Sequence, residues 1–198
     1  MVMKRYIFIP FLFILTSCVK QPPLPTDHYY RLPALQGINV DEEIINSISV
    51  ITFQADGLYR ERAILYSENE IEIKQYHYHH WVDSLNRLLQ EHLVERLRLS
   101  GMSKVVLTEF EGNSNLIIKG KIKAFEQRKS GNKNSAFISI EFRADKNNEG
   151  QPILFKQYTQ VVDSEESSIT SVVNAFGVAV NNIYESFYND LRGTLISE

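Results

Sequence analysis

The 198-residue sequence contains a single cysteine, which excludes an internal disulfide framework and any multi-cysteine zinc site. Basic residues are not in excess: 21 Lys and Arg stand against 24 Asp and Glu, for a formal net charge of −3. Nucleic-acid binding through counterion release is therefore excluded as the basis of function. No apolar run approaches the roughly twenty residues needed to cross a ~30 Å hydrocarbon core as a helix. The nine glycines are scattered through turns, with no phosphate-cradling motif. There is no G-x-S-x-G elbow, and the carboxylate groups Asp41-Glu42-Glu43 and Glu165-Glu166 sit in polar segments where solvation and helix N-terminal charge account for them. No catalytic residue is assigned, no enzyme activity is expected, and no cofactor is implied. What is present, 43% hydrophobic and 11% aromatic residues, suits a packed core rather than a disordered chain, and the length suits one domain.

The one cysteine falls at an informative place. Lys4 and Arg5 precede an apolar run from Tyr6 to Leu15, interrupted only by Pro10. Ten apolar residues are too few for a membrane span but fit a secretory h-region. Leu15-Thr16-Ser17-Cys18 follows directly and resembles a bacterial lipobox. Cleavage is expected between Ser17 and Cys18, where small side chains admit the signal peptidase. The Cys18 thiol would then carry a diacylglyceryl thioether and its freed amine an acyl chain such as palmitate. One acyl chain holds a protein only marginally, whereas two or three make a stable anchor. Val19 occupies the position where, by the sorting rule of two-membrane bacteria, an Asp favours the inner membrane. A periplasm-facing place on the outer membrane is expected. Removal of Lys4 and Arg5 with residues 1–17 takes the net charge to −5.

After Cys18 comes Gln21–Pro25, QPPLP, an extended spacer. The expected organisation is a cleaved signal peptide at 1–17, a lipidated tether at 18–27, and one domain at 28–198. Within that domain, strands are expected at Asp27–Leu32, Ser47–Phe53, Ala63–Tyr66, Glu70–Gln75, Lys104–Phe110, Asn115–Phe125, Ala136–Asp145 and Ile153–Val162. Ala63–Tyr66 and Glu70–Gln75 read as a hairpin with Ile71 and Ile73 on one face. Trp81, Leu85, Leu88, Leu89, Leu93 and Leu97 recur at helical spacing over Trp81–Leu99, closed by Gly101. A second amphipathic helix is expected over about Ser167–Leu195, capped by Ser164 or Ser167. The expected fold class is α+β, a mostly antiparallel sheet with two long helices packed on one face.

Tyr76-His77-Tyr78-His79-His80-Trp81 places six aromatic or imidazole groups in a row, the composition of a contact surface and the candidate partner-contact patch. On a strand His77 and His79 share a face, so His77, His79 and His80 are also the candidates for a metal site, although no acidic residue or cysteine adjoins them in sequence. No metal is assigned. Lys119, Lys121 and Lys123 form a stripe that reads as a solvated sheet face, with an acidic partner or lipid headgroups as the alternative.

Several of these features together resemble the ABC-type transport auxiliary lipoprotein family: the lipobox ending at Cys18, the Pro-containing tether, Tyr29-Tyr30-Arg31-Leu32-Pro33, Ala63-Ile64-Leu65-Tyr66-Ser67, and Trp81 ahead of Leu85, Leu88 and Leu89. Val82-Asp83 stand where that family usually carries a proline. The resemblance implies a non-enzymatic outer-membrane lipoprotein. Its partners would be an MCE-type (mammalian-cell-entry) lipid transporter and the membrane itself, with further copies of the chain in a homo-oligomer. The alternatives are a lipopolysaccharide-assembly lipoprotein that plugs an outer-membrane barrel, and an envelope metal-binding protein built on His77, His79 and His80.

Overall fold

The longest alternating segments of the sequence form the centre of the structure, a computed structural model that describes residues 24–38, 40, 42–108, 114–146 and 150–197. The elements in chain order are β1 (His28–Tyr30), β2 (Ile45–Val50), β3 (Gln54–Ala55), a 3-10 turn (Gly57–Arg60), β4 (Ala63–Ser67), β5 (Ile73–Trp81), α1 (Leu85–Ser100), β6 (Ser103–Leu107), β7 (Leu116–Ser130), β8 (Lys133–Lys146), β9 (Leu154–Asp163) and α2 (Ile169–Ser197). The fold is α+β, and the nine strands among the described residues belong to one sheet. The signal peptide, Ser17, Cys18 and the start of the tether lie outside the described residues.

The sheet is mixed, which corrects the expectation of a mostly antiparallel one. Among the described residues five strand pairings are parallel and three antiparallel. The cause is the length of β7. Fifteen residues make a strand of about 50 Å at ~3.3 Å per residue. One edge of it pairs with β8 throughout, from Leu116↔Lys146 to Ser130↔Lys133. The other edge takes three short strands in succession, all parallel to it. Ile48–Val50 lie beside Leu116–Ile118, Gln54 and Ala55 beside Lys121 and Ile122, and Tyr66 and Ser67 beside Gln127 and Arg128. Hydrophobic alternation marks a strand without marking its direction, so these pairings left no trace in the sequence pattern.

Ala136, Ile138, Ile140, Phe142 and Ala144 of β8 are fully buried, on the face where the sequence places them. Both helices cover that face, and they touch each other: the Tyr184 hydroxyl donates to the Leu89 carbonyl at 2.7 Å. Val172, Phe176, Val180, Ile183, Phe187 and Leu191 of α2 and Leu85, Leu89, Leu93 and Leu97 of α1 join the same core. Helix α1 starts at Leu85 and not at Trp81, which instead ends β5. It closes on Gly101 in the left-handed conformation, φ 72°, the expected glycine cap. The cap of α2 is Ser168, whose Oγ accepts the Ser171 amide at 3.2 Å. Ser164 has a different role, donating to the carbonyls of Asn134 and Glu166. Ile71 is 90% exposed, in the turn between β4 and β5, and does not share a buried face with Ile73.

At Gly120 in β7 a Cβ would stand 2.7 Å from Cδ2 and Cε2 of Phe53. That ring is buried and meets Phe142 edge-on at 5.6 Å, so it has no free direction in which to give. Gly120→Ala is expected to destabilise the fold by about 1–3 kcal/mol, the usual range for overpacking. Urea midpoints measure the loss. Adding Phe53→Leu should recover part of it, and strictly additive losses would contradict the clash.

Candidate functional site

The His-rich run is displaced from a regular strand by a bulge. Ala63 of β4 pairs with His80 of β5, but Leu65 pairs with Gln75, so Ile64 alone faces the four residues Tyr76–His79. Bulges bend a strand and re-aim its side chains. The far edge of β5 is then covered by β1, in parallel register His28↔His79, Tyr29↔His80 and Tyr30↔Trp81.

The result is a continuous array of rings at one end of the sheet. His28 stacks on His79 with centroids 5.2 Å apart, and Tyr76 meets His79 edge-on at 5.4 Å. Tyr66 lies 4.6 Å from Tyr76, and Tyr29 lies 5.6 Å from His80. The Tyr30 hydroxyl is 2.9 Å from His79 Nδ1, and the Asp27 carboxylate is 3.5 Å from His80 Nε2. Two cations flank the array: Lys129 Nζ stands 3.9 Å above the Tyr66 ring, and the Arg62 guanidinium 5.6 Å above Tyr29. Chemically this offers π-faces, imidazole donors and acceptors, and cations held against rings, which suits packing and adhesion.

The six candidate residues have separate fates. His77 and Tyr78 are exposed; Tyr76, His79 and His80 are half-buried. Trp81 is 1% exposed and belongs to the core, so it supports the patch from behind and contributes no contact surface. His79 and His80 are engaged by Tyr30 and Asp27, and no three His, Cys, Asp or Glu side chains converge as a metal ion would require among the described residues. Asp27, His28, Tyr29, Tyr66 and Lys129 join the patch without having been singled out as contact residues. The density of rings in Asp27–Leu32 was the available signal, but the pairing that brings β1 to β5 was not readable. On the open face of the sheet, Lys119 pairs with Asp145 and Lys121 with Asp56, as a solvated charged face would.

A second group missed in the sequence is His92. It lies on α1 in a groove of about 490 Å³ bounded by Arg31, Leu32, Leu88 and Leu99. A carbonyl can only accept, so the 2.9 Å contact to Pro33 O places a proton on Nε2. Nδ1 is buried without a hydrogen-bond partner, which suits the neutral ring. Burial holds the His92 pKa below its ordinary 6.5, against the opposing pull of the Pro33 carbonyl and Glu95. The His79 pKa is also lowered, by burial first and then by His28 and His80. Well above pH 6.5 neither state binds these protons. As pH falls below 6.5 the unfolded chain takes them up and the native one resists, so stability is lost on acidification. The lowered pKa of Asp190, held by Lys156 and Tyr158, acts only below its ordinary 3.8 and leaves this window untouched. Urea midpoints are expected to fall from pH 7.5 to 5, with a shallower fall in His92→Gln. An unchanged slope in both His92→Gln and His79→Gln would refute the assignment.

No protein-family model and no curated protein matches the chain. Among solved structures, protein XCC0632 from Xanthomonas campestris, of the DUF330 family, superposes with a TM-score of 0.74 at 15% identity, covering 87% of this chain and 99% of its own. The chain shares the fold of that protein. An uncharacterized protein gives a TM-score of 0.70 at 13% identity over 84% of this chain and 99% of its own. The hypothetical protein CT253 from Chlamydia trachomatis gives 0.50 at 7% identity over 78% and 99%. Identities this low establish a common fold and carry no residue roles across.

Proposed function

We propose that this chain is a non-enzymatic, lipid-anchored envelope protein. It would serve as an accessory component of an ABC/MCE-type lipid transport system, docking the periplasmic assembly to the outer membrane. The observation that carries the reading is the joining, in one chain, of the Leu15–Cys18 lipobox to a domain with the family-like layout: Tyr29-Tyr30-Arg31-Leu32 on the β1 edge, and Trp81 at the entrance to α1. The array of rings on β1 and β5 supports an adhesive role, since its chemistry favours contact over bond-making. The anchor needs no cofactor beyond the acyl chains on Cys18.

Crosslinking the native protein in intact cells, followed by purification in mild detergent, tests the proposal. Recovery of an MCE-domain protein is the expected result. Recovery of an outer-membrane barrel in its place would move the function to envelope assembly. Recovery of copies of this chain alone would refute the docking role.

A further inference from the structure

We propose that the β1–β5 end of the sheet is the surface that rests on the bilayer, with Tyr29 and Tyr78 in the headgroup layer. The inference rests on Cys18 being the lipid anchor and adds to it an orientation and a contact face. Nine residues separate Cys18 from His28, a span of at most about 35 Å at full extension. Leu24 and β1 are therefore the described residues whose reach from the anchored leaflet is most tightly limited. In the sheet order β1 is an edge, and β5, β4, β7 and β8 lie between it and β9. Counted along the sheet at ~4.8 Å per strand, the β9 edge lies about 24 Å from β1.

The composition of the near edge agrees with this placement. Leu24 is 90% exposed, Tyr29 57%, Tyr78 45% and Val82 40%, with His28 and His77 exposed among them. Leu24, Tyr29, Tyr78 and Val82 carry no charge, so their entry into the headgroup layer strips no ion of water. Tyrosine combines an apolar ring with a hydroxyl that stays wet, the combination favoured at membrane interfaces. Among the described residues two cations lie over rings of this array, Lys129 over Tyr66 and Tyr76 and Arg62 over Tyr29, and Arg31 follows β1 directly and is exposed. Arg62 is exposed, donates to the Trp81 and Val82 carbonyls and lies over the Tyr29 ring. Its charge therefore stands at the surface beside the tyrosine face, where anionic headgroups can meet it. The carboxylate of Asp27 has His80 Nε2 at 3.5 Å. Exposed tyrosines flanked by Arg31 and Arg62 fit a bilayer, whose interface favours tyrosine and whose headgroup phosphates accept from guanidinium groups.

The test uses the full mature lipoprotein, processed in cells and reconstituted into phosphatidylethanolamine–phosphatidylglycerol vesicles. These are prepared with and without phosphatidylcholine brominated on the acyl carbons nearest the headgroup. Tyr78→Trp places a reporter on the proposed face, Tyr29→Trp provides a second in case the first misfolds, and Phe155→Trp reports from β9, where that side chain is 60% exposed. The native Trp81 is buried, and its emission in the parent protein is subtracted. The expected result is loss of most of the added emission at positions 78 and 29 in brominated vesicles, with position 155 unaffected. Equal emission with and without bromine at 78 and 29, in protein that floats with the vesicles, overturns the proposal while leaving the anchor standing. A blue shift without quenching also overturns it, by showing that protein covers the edge, as in contact with a second copy. Protein that does not float removes the anchor and the orientation together.

Discussion

Truncation of Trp81 to alanine is expected to remove about 3–5 kcal/mol of stability, the range for deleting a large buried aromatic side chain. The indole is 1% exposed and is clamped between two elements. Phe125 of β7 meets it edge-on at 5.6 Å and 82°, and Phe176 of α2 at 5.6 Å and 74°. Those two rings stack on each other at 4.6 Å, so the three side chains tie β5, β7 and α2 at a single point. A loss of this size is a substantial fraction of the roughly 5–15 kcal/mol that holds a typical domain together. Partial collapse of the cavity sets the lower end of the range, and Trp81→Phe should lose less because a ring still fills the clamp. Far-UV circular dichroism during urea unfolding is the readout, since Trp81 is the only tryptophan and its fluorescence disappears with it. A loss below about 1 kcal/mol would show that the aromatic cluster closes over the gap. The patch is expected to suffer as well. The Trp81 amide donates to the Arg62 carbonyl and its Cα is in register with Tyr30, so the β1 edge depends on the residue that anchors the end of β5.

Trp81 also shows where the sequence was readable and where it was not. Its spacing to Leu85, Leu88 and Leu89 matches a helix, because the last residue of a buried strand and the first turn of the next helix can present apolar groups to the same core. The backbone break falls at Val82–Ser84, where Ser84 precedes the first helical residue. Strict alternation in Ala136–Ala144 and the 3.6-residue stripe of α2 were legible because each follows from a single element meeting a single face. The parallel docking of β2, β3 and β4 along β7 was not, since it depends on the length of one strand and on the crossover through α1 and β6. The bulge at Tyr76–His79 was hidden for a related reason: six rings in a row signal contact, but one residue opposing four is a property of the pair of strands. Hence the concentration of rings was visible in composition, while its members from β1 and the retreat of Trp81 into the core required the fold. The caps divide in the same way. Gly101 is demanded by its own left-handed φ, whereas Ser164, Ser167 and Ser168 are chemically alike, and only the geometry of the β9–α2 connection selects Ser168.

Replacing Cys18 with serine is expected to abolish lipid attachment while leaving the fold unchanged. In the proposed anchor a hydroxyl does not substitute for the thiolate that would form the diacylglyceryl thioether, and without that modification the bond after Ser17 would stay intact. Each buried methylene contributes about 0.8 kcal/mol to membrane residence, and a single myristoyl-length chain already gives a partition constant on the order of 10⁴ M⁻¹. Loss of two or three chains therefore lowers partitioning by well over roughly ten-thousandfold. The effect is larger in free energy than any core substitution considered above, yet it acts on none of the same contacts. Position 18 precedes β1 by ten residues, so urea midpoints of the Cys18→Ser and parent domains should coincide. Incorporation of labelled palmitate and the mass of the secreted chain give the two readouts. The variant should carry no label and retain residues 1–17, and quenching of the Tyr78→Trp reporter should vanish with the anchor. Normal labelling and cleavage in Cys18→Ser would overturn the lipobox. Loss of label with quenching retained would mean that the face carrying Tyr29 and position 78 meets the bilayer without acyl chains, held there by the retained Tyr6–Leu15 run or by its own contacts.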